Sequence, residues 1–469
     1  MLFSSISFLF VFLPILLLVI ALAPKKLHNL ILLLASIIFY AFGEPRFLII
    51  IFAVISISYF GALLISKFLK YKKLLLLLTL IGNLGFLFYF KYFDFMIGVI
   101  NNITGTHFAL TEVILPLGIS FYTFQAISYV VDVYRQEVKV QKNFYKFALY
   151  VCLFPQLIAG PIIKYHDINE AIDNRNISFD DVVIGVKRFI IGLAKKMLIA
   201  NTLGAVAGAV FNQGYTSVST GIVWIGAVAY TFQIFFDFSG YSDMAIGLGK
   251  IFGFQFKENF NYPYISKSVT EFWRRWHISL STWFKEYLYI PLGGNKNGKL
   301  KTIRNLGIVF LLTGLWHGAS WNFILWGIWN GFFIILEKII NIKNIEQKAT
   351  HIYQKTLMHI YCIFVFVIGW VLFYNTDLNQ ALGFIKNMLF LIPSNQIYET
   401  YTIHYYIETK EIIAFAAAVL CSLPLFKNII YYTNPWAKIG VNIWFLLIYA
   451  LSVMSIAAGT YNPFIYFRF

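Results

Sequence analysis

Long apolar runs alternate with short polar loops along the chain, and successive loops differ in charge. A run of about 20 apolar residues has the length of a membrane-spanning helix. The loops after the first five runs alternate between basic and non-basic, beginning with a basic loop after the first run. Basic loops favour the cytoplasmic side of a membrane. The pattern therefore predicts a retained first span and an N-terminus outside the cytoplasm. The five runs are 2–22, 30–42, 47–65, 74–92 and 115–134.

Two apolar runs in the middle of the chain are interrupted. Pro155, Gly160 and Pro161 break the run 144–161, and pairs of basic residues break the run 182–200. Proline and glycine interruptions inside membrane segments indicate broken or re-entrant helices that line a cavity. We therefore predict that neither run is a straight span.

The end of the chain returns to a regular pattern. Clean spans are predicted at 221–236, 357–373, 411–426 and 441–460. The loop 427–438 is basic, which places it in the cytoplasm and the C-terminal tail outside. The polar, aromatic stretch 380–410 is also predicted to lie outside. Together the runs predict about eleven spans.

One apolar stretch, 305–336, has an unusual length. It is too long for one straight span and too short for two, and basic residues at both flanks favour two cytoplasmic ends. We therefore predict a broken helical pair that turns near Gly318. Irregular backbone at membrane depth is tolerated only where it is buried in protein or lines a wet cavity. His317 is accordingly expected deep in the membrane, at the bottom of a cavity.

The composition agrees with an integral membrane protein. Hydrophobic residues make up 59% of the chain and charged residues 12%, against about 25% charged residues in soluble domains. We attribute the net charge of +16 to cytoplasmic loops and anionic lipids and not to nucleic-acid binding. The three cysteines are far apart in apolar segments and predict neither a disulfide nor a metal site.

No polar stretch is long enough to form a separate soluble domain. We therefore predict a single domain over residues 1–469. It comprises N-terminal spans (1–134), a catalytic core with re-entrant segments (144–340) and C-terminal spans (357–469).

Two histidines are candidates for chemistry. An ionisable residue within a membrane segment is costly and marks a functional site, and a desolvated histidine is held neutral, as a general base requires. His317 meets this description, although its ring N–H could instead satisfy a carbonyl of a neighbouring helix. His277 lies in the run 272–285, whose apolar positions follow one helix face. That run predicts one amphipathic, cationic helix at the cytoplasmic interface, in which His277 could be an ordinary interfacial histidine.

Two carboxylates, Asp237 and Asp243, follow the apolar run 221–236. They could orient a histidine or contact substrate, or they could cap a following helix, since Asp is a preferred N-cap residue. The glycine-rich stretch 293–300 lacks both the Ser/Thr and the preceding strand of a nucleotide-binding loop, so we exclude that function. The sequence also contains no GxSxG and no HExxH motif, which excludes the soluble hydrolases that use them.

Six motifs, in order along most of the chain, resemble the membrane-bound O-acyltransferase family. They are LPLGISFYTFQAISYVVDVYR (115–135), FPQLIAGPI (154–162), FFDFSGYSDMAIG (235–247), NFNYPYISKSVTEFW (259–273), RRWHISLSTWFKEYLYIPLGG (274–294) and LTGLWHGASWNFILWG (312–327). The ending PFIYFRF (463–469) resembles the alginate and peptidoglycan O-acetyltransferase branch more than the D-alanine transfer branch.

The resemblance implies an all-α polytopic enzyme of the bacterial inner membrane, with helices around a central funnel. Acetyl-CoA would be the cytoplasmic donor substrate, with no bound cofactor or metal. A periplasmic SGNH or serine-esterase-like partner would place the acetyl group on a polysaccharide hydroxyl.

The resemblance also assigns residues. The family's invariant histidine corresponds to His317, and its second active-site position corresponds to His277. Cationic residues near His277 could hold the phosphates of the donor or could serve topology alone. The candidate substrate-binding residues are Trp316, Asn322, Asp237, Ser239, Tyr241, Arg274, Arg275 and Trp283.

Two other functions stay open at this point. A transporter or flippase is disfavoured because the sequence has no internal repeat and no evident pairs of intramembrane charges. D-alanyl transfer from a carrier protein is disfavoured by the C-terminal ending. The Ile-, Lys-, Asn- and Phe-rich composition weakly favours peptidoglycan over alginate as the acceptor. The residues leave two roles for His317, general base or transient acetyl carrier.

Overall fold

A computed structural model describes residues 1–296, 298–427, 429–431 and 435–459. Over these residues the secondary structure is helical and includes no strand, as the all-α prediction requires. The described residues fall into two compact units, one formed by 1–189 with 241–257 and the other by 190–240 with the chain from 258 onward. The predicted motif PFIYFRF and the C-terminal tail lie outside the described residues.

The helices of the first unit follow the predicted apolar runs. The run 144–161 breaks at Leu153, as its proline predicts. The α-helices are Leu13–Leu22, His28–Ala41, Leu48–Lys67, Lys72–Leu87, Phe93–Thr104, Ile119–Arg135, Phe144–Cys152, Phe154–Leu157, Tyr165–Asp173 and Phe179–Ala194, with π-helical segments at Phe8–Phe12 and Phe88–Tyr92.

Helix Thr220–Ile251 contributes its end, from Tyr241, to this first unit. There Gly185 and Gly247 allow two helix backbones to touch, because a methyl group on Gly247 would lie 2.5 Å from the Gly185 carbonyl oxygen. Small residues permit this close approach between membrane helices. Arg188 forms an ion pair with Asp243 beside the contact, at 2.6 Å between Nη2 and Oδ1.

The second unit carries the remaining helices. They are Asn201–Phe211, Val269–Arg275, Ile278–Phe284, Lys299–His317, Trp321–Ile339, Ile342–Lys348, Ile352–Tyr374, Leu378–Met388, Ile403–Tyr406, Thr409–Cys421 and Pro435–Ala457, with π-helical segments at Lys195–Ala200 and Lys285–Tyr289. Short 3₁₀ segments in the chain are Lys25–Leu27, Pro45–Phe47, Leu69–Tyr71, Pro263–Ile265, Ser394–Gln396, Pro424–Phe426 and Ile429–Tyr431.

The predicted interruption of the run 182–200 is wrong. Helical structure is continuous from residue 179 to residue 211, and the paired lysines lie in the π-helical segment Lys195–Ala200. A π-helical segment adds a residue to a turn without ending the helix. The paired lysines therefore do not end the helix.

The predicted broken pair near Gly318 is present in the second unit. Lys299–His317 and Trp321–Ile339 each have 19 residues, and we call the two helices the histidine hairpin. Together they extend beyond both ends of the apolar run 305–336, because the polar residues that flank the run are helical as well. A side chain at Gly318 would collide with the ring of Phe323, so the turn requires a residue without one.

The structure does not confirm eleven spans. Among the described residues, five helices are long and apolar enough to cross a membrane, or six if Trp321–Ile339 and the bent helix after it form one span. Other predicted runs form shorter helices. His28–Ala41 has 14 residues, which extend about 21 Å at 1.5 Å per residue, less than the about 30 Å of a hydrocarbon core.

The stretch 380–410, predicted to be polar and external, is tied to the loop before helix Thr220–Ile251. The amide of Asn387 donates to the carbonyl oxygens of Tyr215 (2.7 Å) and Val218 (3.0 Å) and accepts from the Thr220 hydroxyl (2.7 Å). These bonds give the stretch a defined place in the second unit. Its side of the membrane stays a prediction.

Candidate active site

His317 is the last residue of the first helix of the histidine hairpin and is buried, with 2% of its surface exposed. Three aromatic rings surround its imidazole. The ring centroids of Trp316, Trp326 and Phe373 lie 5.0, 5.0 and 5.1 Å from that of His317. Trp326 comes from the second hairpin helix and Phe373 from helix Ile352–Tyr374. The ring is therefore held in an apolar enclosure.

His277 breaks the single amphipathic helix that we predicted over 272–285. The structure has two short helices, Val269–Arg275 and Ile278–Phe284, and His277 between them has a left-handed backbone with φ of 41°. Main-chain bonds to a neighbouring loop replace the helical ones, since the N–H of Asn261 donates to Arg275 and that of Ile278 donates to Asn259. The predicted helix was wrong for this reason.

The burial of the same segment agrees with the sequence pattern. The predicted apolar face, made of positions 272, 273, 276, 280, 283 and 284, is buried. His277 is buried with it, at 0% exposure, so it is not an ordinary interfacial histidine. Non-glycine residues with positive φ are uncommon and cluster at functional sites.

The His277 imidazole contacts both aromatic and polar groups. Its centroid lies 4.6 Å from that of Phe238, and its Nδ1 lies 3.3 Å from the Asn259 side-chain oxygen and 3.4 Å from the Ser279 hydroxyl. Burial lowers the pKa of His277 to about 3, because an apolar environment disfavours the charged imidazolium. The ring is therefore neutral at physiological pH.

Trp316 connects the two histidines. Its indole centroid lies 6.0 Å from the His277 ring and 5.0 Å from the His317 ring, and 3% of Trp316 is exposed. The second unit thus brings two buried imidazoles, distant in sequence, against a single indole. Of the predicted site residues, these three form one cluster.

Asn322 supports this cluster. It is buried, and its side-chain amide donates to the main-chain oxygen of Asn375 at 2.7 Å. Asn375 directly follows the helix that carries Phe373, the ring against His317. Asn322 therefore anchors one wall of the His317 enclosure, and its predicted contact with substrate stays a prediction.

Neither Asp237 nor Asp243 caps a helix, so that alternative is wrong. Both lie inside helix Thr220–Ile251, which continues through the sequence where we expected an end. Asp237 forms an ion pair with Lys196 at 2.6 Å, and the two side chains are only 1% and 3% exposed. Ser239 is buried in the same helix, at 2% exposure.

The other predicted binding residues are more dispersed. Tyr241 is buried in the first unit and stacks on Phe3, with centroids 4.7 Å apart. Arg274 is exposed, whereas Arg275 pairs with Glu271 at 2.8 Å. Trp283 is buried beside Phe284 and Tyr287. The structure thus leaves Arg274 as the more accessible of the two arginines.

Three residues with clear roles in this region were not predicted from the sequence. Asn259 contacts His277, and Lys196 pairs with Asp237. The Glu337 carboxylate accepts the N–H groups of Val269 and Thr270, each at 2.7 Å, at the start of helix Val269–Arg275. A sequence signal existed for Lys196 only, since a cation within an apolar run requires a partner.

The ion pairs also correct one argument against transport. Pairs of intramembrane charges are not absent, because Lys196 with Asp237 and Arg188 with Asp243 are two such pairs on helix Thr220–Ile251. That helix is one of the membrane-length helices. The choice between enzyme and transporter must therefore rest on other observations.

Comparisons with known proteins supply them. A family model described as MBOAT, membrane-bound O-acyltransferase family, matches residues 135–378, which include both histidines. A probable alginate O-acetylase of Pseudomonas putida is 39% identical over 500 residues, covering 100% of each chain. A peptidoglycan O-acetyltransferase of Helicobacter pylori is 36% identical over 423 residues, covering 83% of this chain and 80% of the relative. A teichoic acid D-alanyltransferase of Streptococcus thermophilus is 31% identical over 237 residues, covering 47% of this chain and 56% of the relative.

Proposed function

Because this chain belongs to the membrane-bound O-acyltransferase family, and so is a multi-pass membrane acyltransferase, we propose that it transfers acetyl groups for O-acetylation of a polysaccharide outside the cytoplasm. Full-length similarity to an alginate O-acetylase supports acetyl as the transferred group. The observation that carries the proposal is the pair of buried histidines against Trp316 within the family-matched range.

In the proposed reaction, His317 is the general base. An acceptor hydroxyl attacks the carbonyl carbon of the acetyl thioester, a C–O bond forms and the C–S bond breaks. His317 takes the hydroxyl proton and returns it to the departing sulfur, so that the products are an acetyl ester and free CoA. The apolar enclosure of His317 supports this role, because it holds the imidazole in a fixed position, as a general base requires.

The donor is proposed to be acetyl-CoA, bound from the cytoplasm. Arg274 is exposed three residues before His277, and Lys299 and Lys301 are exposed at the start of the histidine hairpin. Guanidinium and ammonium groups bind phosphates through charge-assisted hydrogen bonds. This is consistent with a donor that carries phosphates, and no resident cofactor is invoked.

The acceptor side is proposed to lie across the bacterial inner membrane, with both termini periplasmic. A periplasmic SGNH or serine-esterase-like partner would take the acetyl group and pass it to the polysaccharide. Of the relatives named above, one is a probable alginate O-acetylase and one a peptidoglycan O-acetyltransferase, and the identities of these two to this chain differ little. Peptidoglycan, favoured by composition, stays a prediction.

The decisive experiment measures acetyl-CoA turnover by the purified protein in lipid vesicles, with the partner enzyme or an external hydroxyl acceptor present. His317→Ala is expected to lose about 10²–10⁴-fold, the contribution of a positioned base. His107→Ala is the matched control, because His107 is exposed in a loop of the first unit, and it should retain wild-type turnover.

Other outcomes would change either the role of His317 or the proposed function. Equal turnover in wild type and His317→Ala would remove His317 from the chemistry. Transfer from a D-alanyl carrier protein, with no use of acetyl-CoA, would revive the D-alanyl alternative. Flux of an unmodified solute through the His317→Ala protein would support a transporter.

A further inference from the structure

We propose that Asn259 is a positioning residue that holds the His277 imidazole in the tautomer protonated at Nδ1, so that Nε2 carries the lone pair and accepts a hydrogen bond in the acyl-transfer site. This inference rests on the proposed function in one respect, the placement of His277 in that site. The assignment of the tautomer itself follows from hydrogen-bond geometry alone.

The orientation of the Asn259 amide is determined by Ser279. The Asn259 oxygen accepts the Ser279 main-chain N–H at 3.1 Å and the Ser279 hydroxyl at 2.9 Å. The amide NH₂ group cannot accept either bond. The atom facing Ser279 is therefore the oxygen, and Asn259 is fully buried, at 0% exposure.

The same oxygen determines where the His277 proton lies. Nδ1 of His277 is 3.3 Å from it, and an oxygen acceptor at that distance requires an N–H donor. The Ser279 hydroxyl, 3.4 Å from Nδ1, has already directed its hydrogen to Asn259 and so offers only a lone pair. Because a neutral imidazole has one N–H, Nε2 is the unprotonated nitrogen.

The main chain maintains this arrangement. The carbonyl oxygen of Asn259 accepts the N–H of Ile278 at 2.9 Å, so Asn259 binds the residues on the C-terminal side of His277 through both its main chain and its side chain. The left-handed backbone of His277, with φ of 41°, turns the ring toward Asn259. The low pKa of His277 is in accord with a neutral ring.

The tautomer restricts the role of His277. With its proton directed to Asn259, the ring can accept a hydrogen bond from a substrate N–H or O–H through Nε2. It cannot donate one to the oxyanion that forms when the thioester carbonyl is attacked. We therefore assign His277 to binding or activating a protic group of a substrate, and not to oxyanion stabilisation.

The test is magic-angle-spinning NMR of the full-length protein in lipid vesicles, labelled with ¹⁵N-histidine. The chain has eight histidines, so the His277 signals are identified by subtracting the spectrum of His277→Gln. We expect a protonated Nδ1 and an unprotonated Nε2. A protonated Nε2 in the wild type would overturn the proposal.

Three variants separate positioning from general structural support. Asn259→Leu removes the acceptor and should shift His277 toward the Nε2-protonated tautomer, with turnover reduced by up to about 10²–10⁴-fold. Asn259→Asp keeps an acceptor oxygen and should retain the Nδ1–H signal. It is the variant to use if Asn259→Leu does not fold. Ser279→Ala removes one bond to Asn259 but leaves the His277 contact, so its tautomer should be unchanged.

The outcomes keep the two proposals distinct. An unchanged tautomer in a folded Asn259→Leu protein would refute the role of Asn259, whatever the reaction. A correct tautomer in a wild-type protein that transfers no acetyl group would leave Asn259 assigned and refute the proposed function.

Discussion

At the scale of single residues, burial alone does not distinguish the groups of this site. His277, His317, Asn259, Lys196 and Asp237 are all at most 5% exposed. Their partners distinguish them, because a buried polar group must be hydrogen-bonded or paired to offset its desolvation. The Lys196–Asp237 pair therefore needs an explanation separate from that of the histidines.

We predict that the Lys196–Asp237 pair is structural. Asp237→Leu alone should destabilise the protein by about 3–5 kcal/mol, since it leaves a buried lysine charge without its carboxylate. The double variant Lys196→Met with Asp237→Leu should recover most of that loss, because an apolar pair of similar size removes both charges. The measurement is the apparent melting temperature in detergent, together with acetyl-CoA turnover.

The two readouts distinguish the roles left open for Asp237. If the double variant is stable and active, the carboxylate serves the fold. If it is as stable as the wild type but inactive, the pair serves the reaction, as the predicted contact of Asp237 with substrate requires. Failure of the double variant to regain stability would contradict a structural pair.

At the scale of helices, the histidine hairpin depends on close contact between backbones. A methyl group on Gly327 would lie 2.5 Å from the Phe310 carbonyl oxygen, and one on Gly314 would collide with the Phe323 carbonyl oxygen. Helices in membranes pack through such small residues. Gly314 lies three residues before His317 in the same helix, so we expect this contact to support the position of the catalytic candidate.

We predict that Gly327→Ala lowers stability by about 1–3 kcal/mol, the usual cost of overpacking, and reduces turnover by displacing His317. Gly307→Ala is the matched control, because a methyl group at that position of the same hairpin meets no atom within 4 Å outside its own stretch of helix. It should melt no lower than the wild type, since alanine is favoured over glycine in a helix interior, and should turn over like the wild type. Equal behaviour of the two variants would show that the glycine contact does not hold the site.

The helix Val269–Arg275 shows why local propensity was a poor guide to the His277 segment. With seven residues, it is too short to be stable by itself, since isolated helices need about 12–15 residues. The Glu337 carboxylate, from the end of the histidine hairpin, accepts its first N–H groups and stabilises it. Because Glu337 binds the start of this helix, the helix does not need to be longer. It ends before His277, where main-chain bonds to residues 259 and 261 replace the helical ones.

At the scale of the whole molecule, the side of the membrane that each loop faces decides which side supplies the donor. We predict that Lys70, in a basic loop, is cytoplasmic and that His107, in a near-neutral loop, is outside. Both are exposed. In a background where Cys152, Cys362 and Cys421 are replaced by alanine, an impermeant thiol reagent should label His107→Cys on intact cells and Lys70→Cys only after lysis.

The lysed sample controls for reactivity, since both cysteines should then be labelled. The opposite pattern on intact cells would reverse the topology and place the donor side outside. Labelling of both sites on intact cells would show that the alternating charge of the loops does not report topology in this protein.

Much of the architecture could be predicted from the sequence. Apolar runs, the turn at Gly318 and the burial of His317 follow from the free energy of transferring each residue into an apolar phase, a property of the residue and its neighbours in the chain. The number of spans was less predictable. Hydropathy marks the apolar residues but not whether a helix of 14 residues, such as His28–Ala41, crosses a membrane.

Thus the chain alone determined that this is a helical membrane protein, that its core carries the O-acyltransferase motifs and that His317 lies within an apolar segment. Only the tertiary structure decided what each polar group contacts. His277 is hydrogen-bonded to Asn259, Asp237 is paired with Lys196, and both histidine rings lie against the Trp316 indole. The physical reason is that desolvation costs are local, whereas the hydrogen bonds and charges that offset them come from residues distant in sequence.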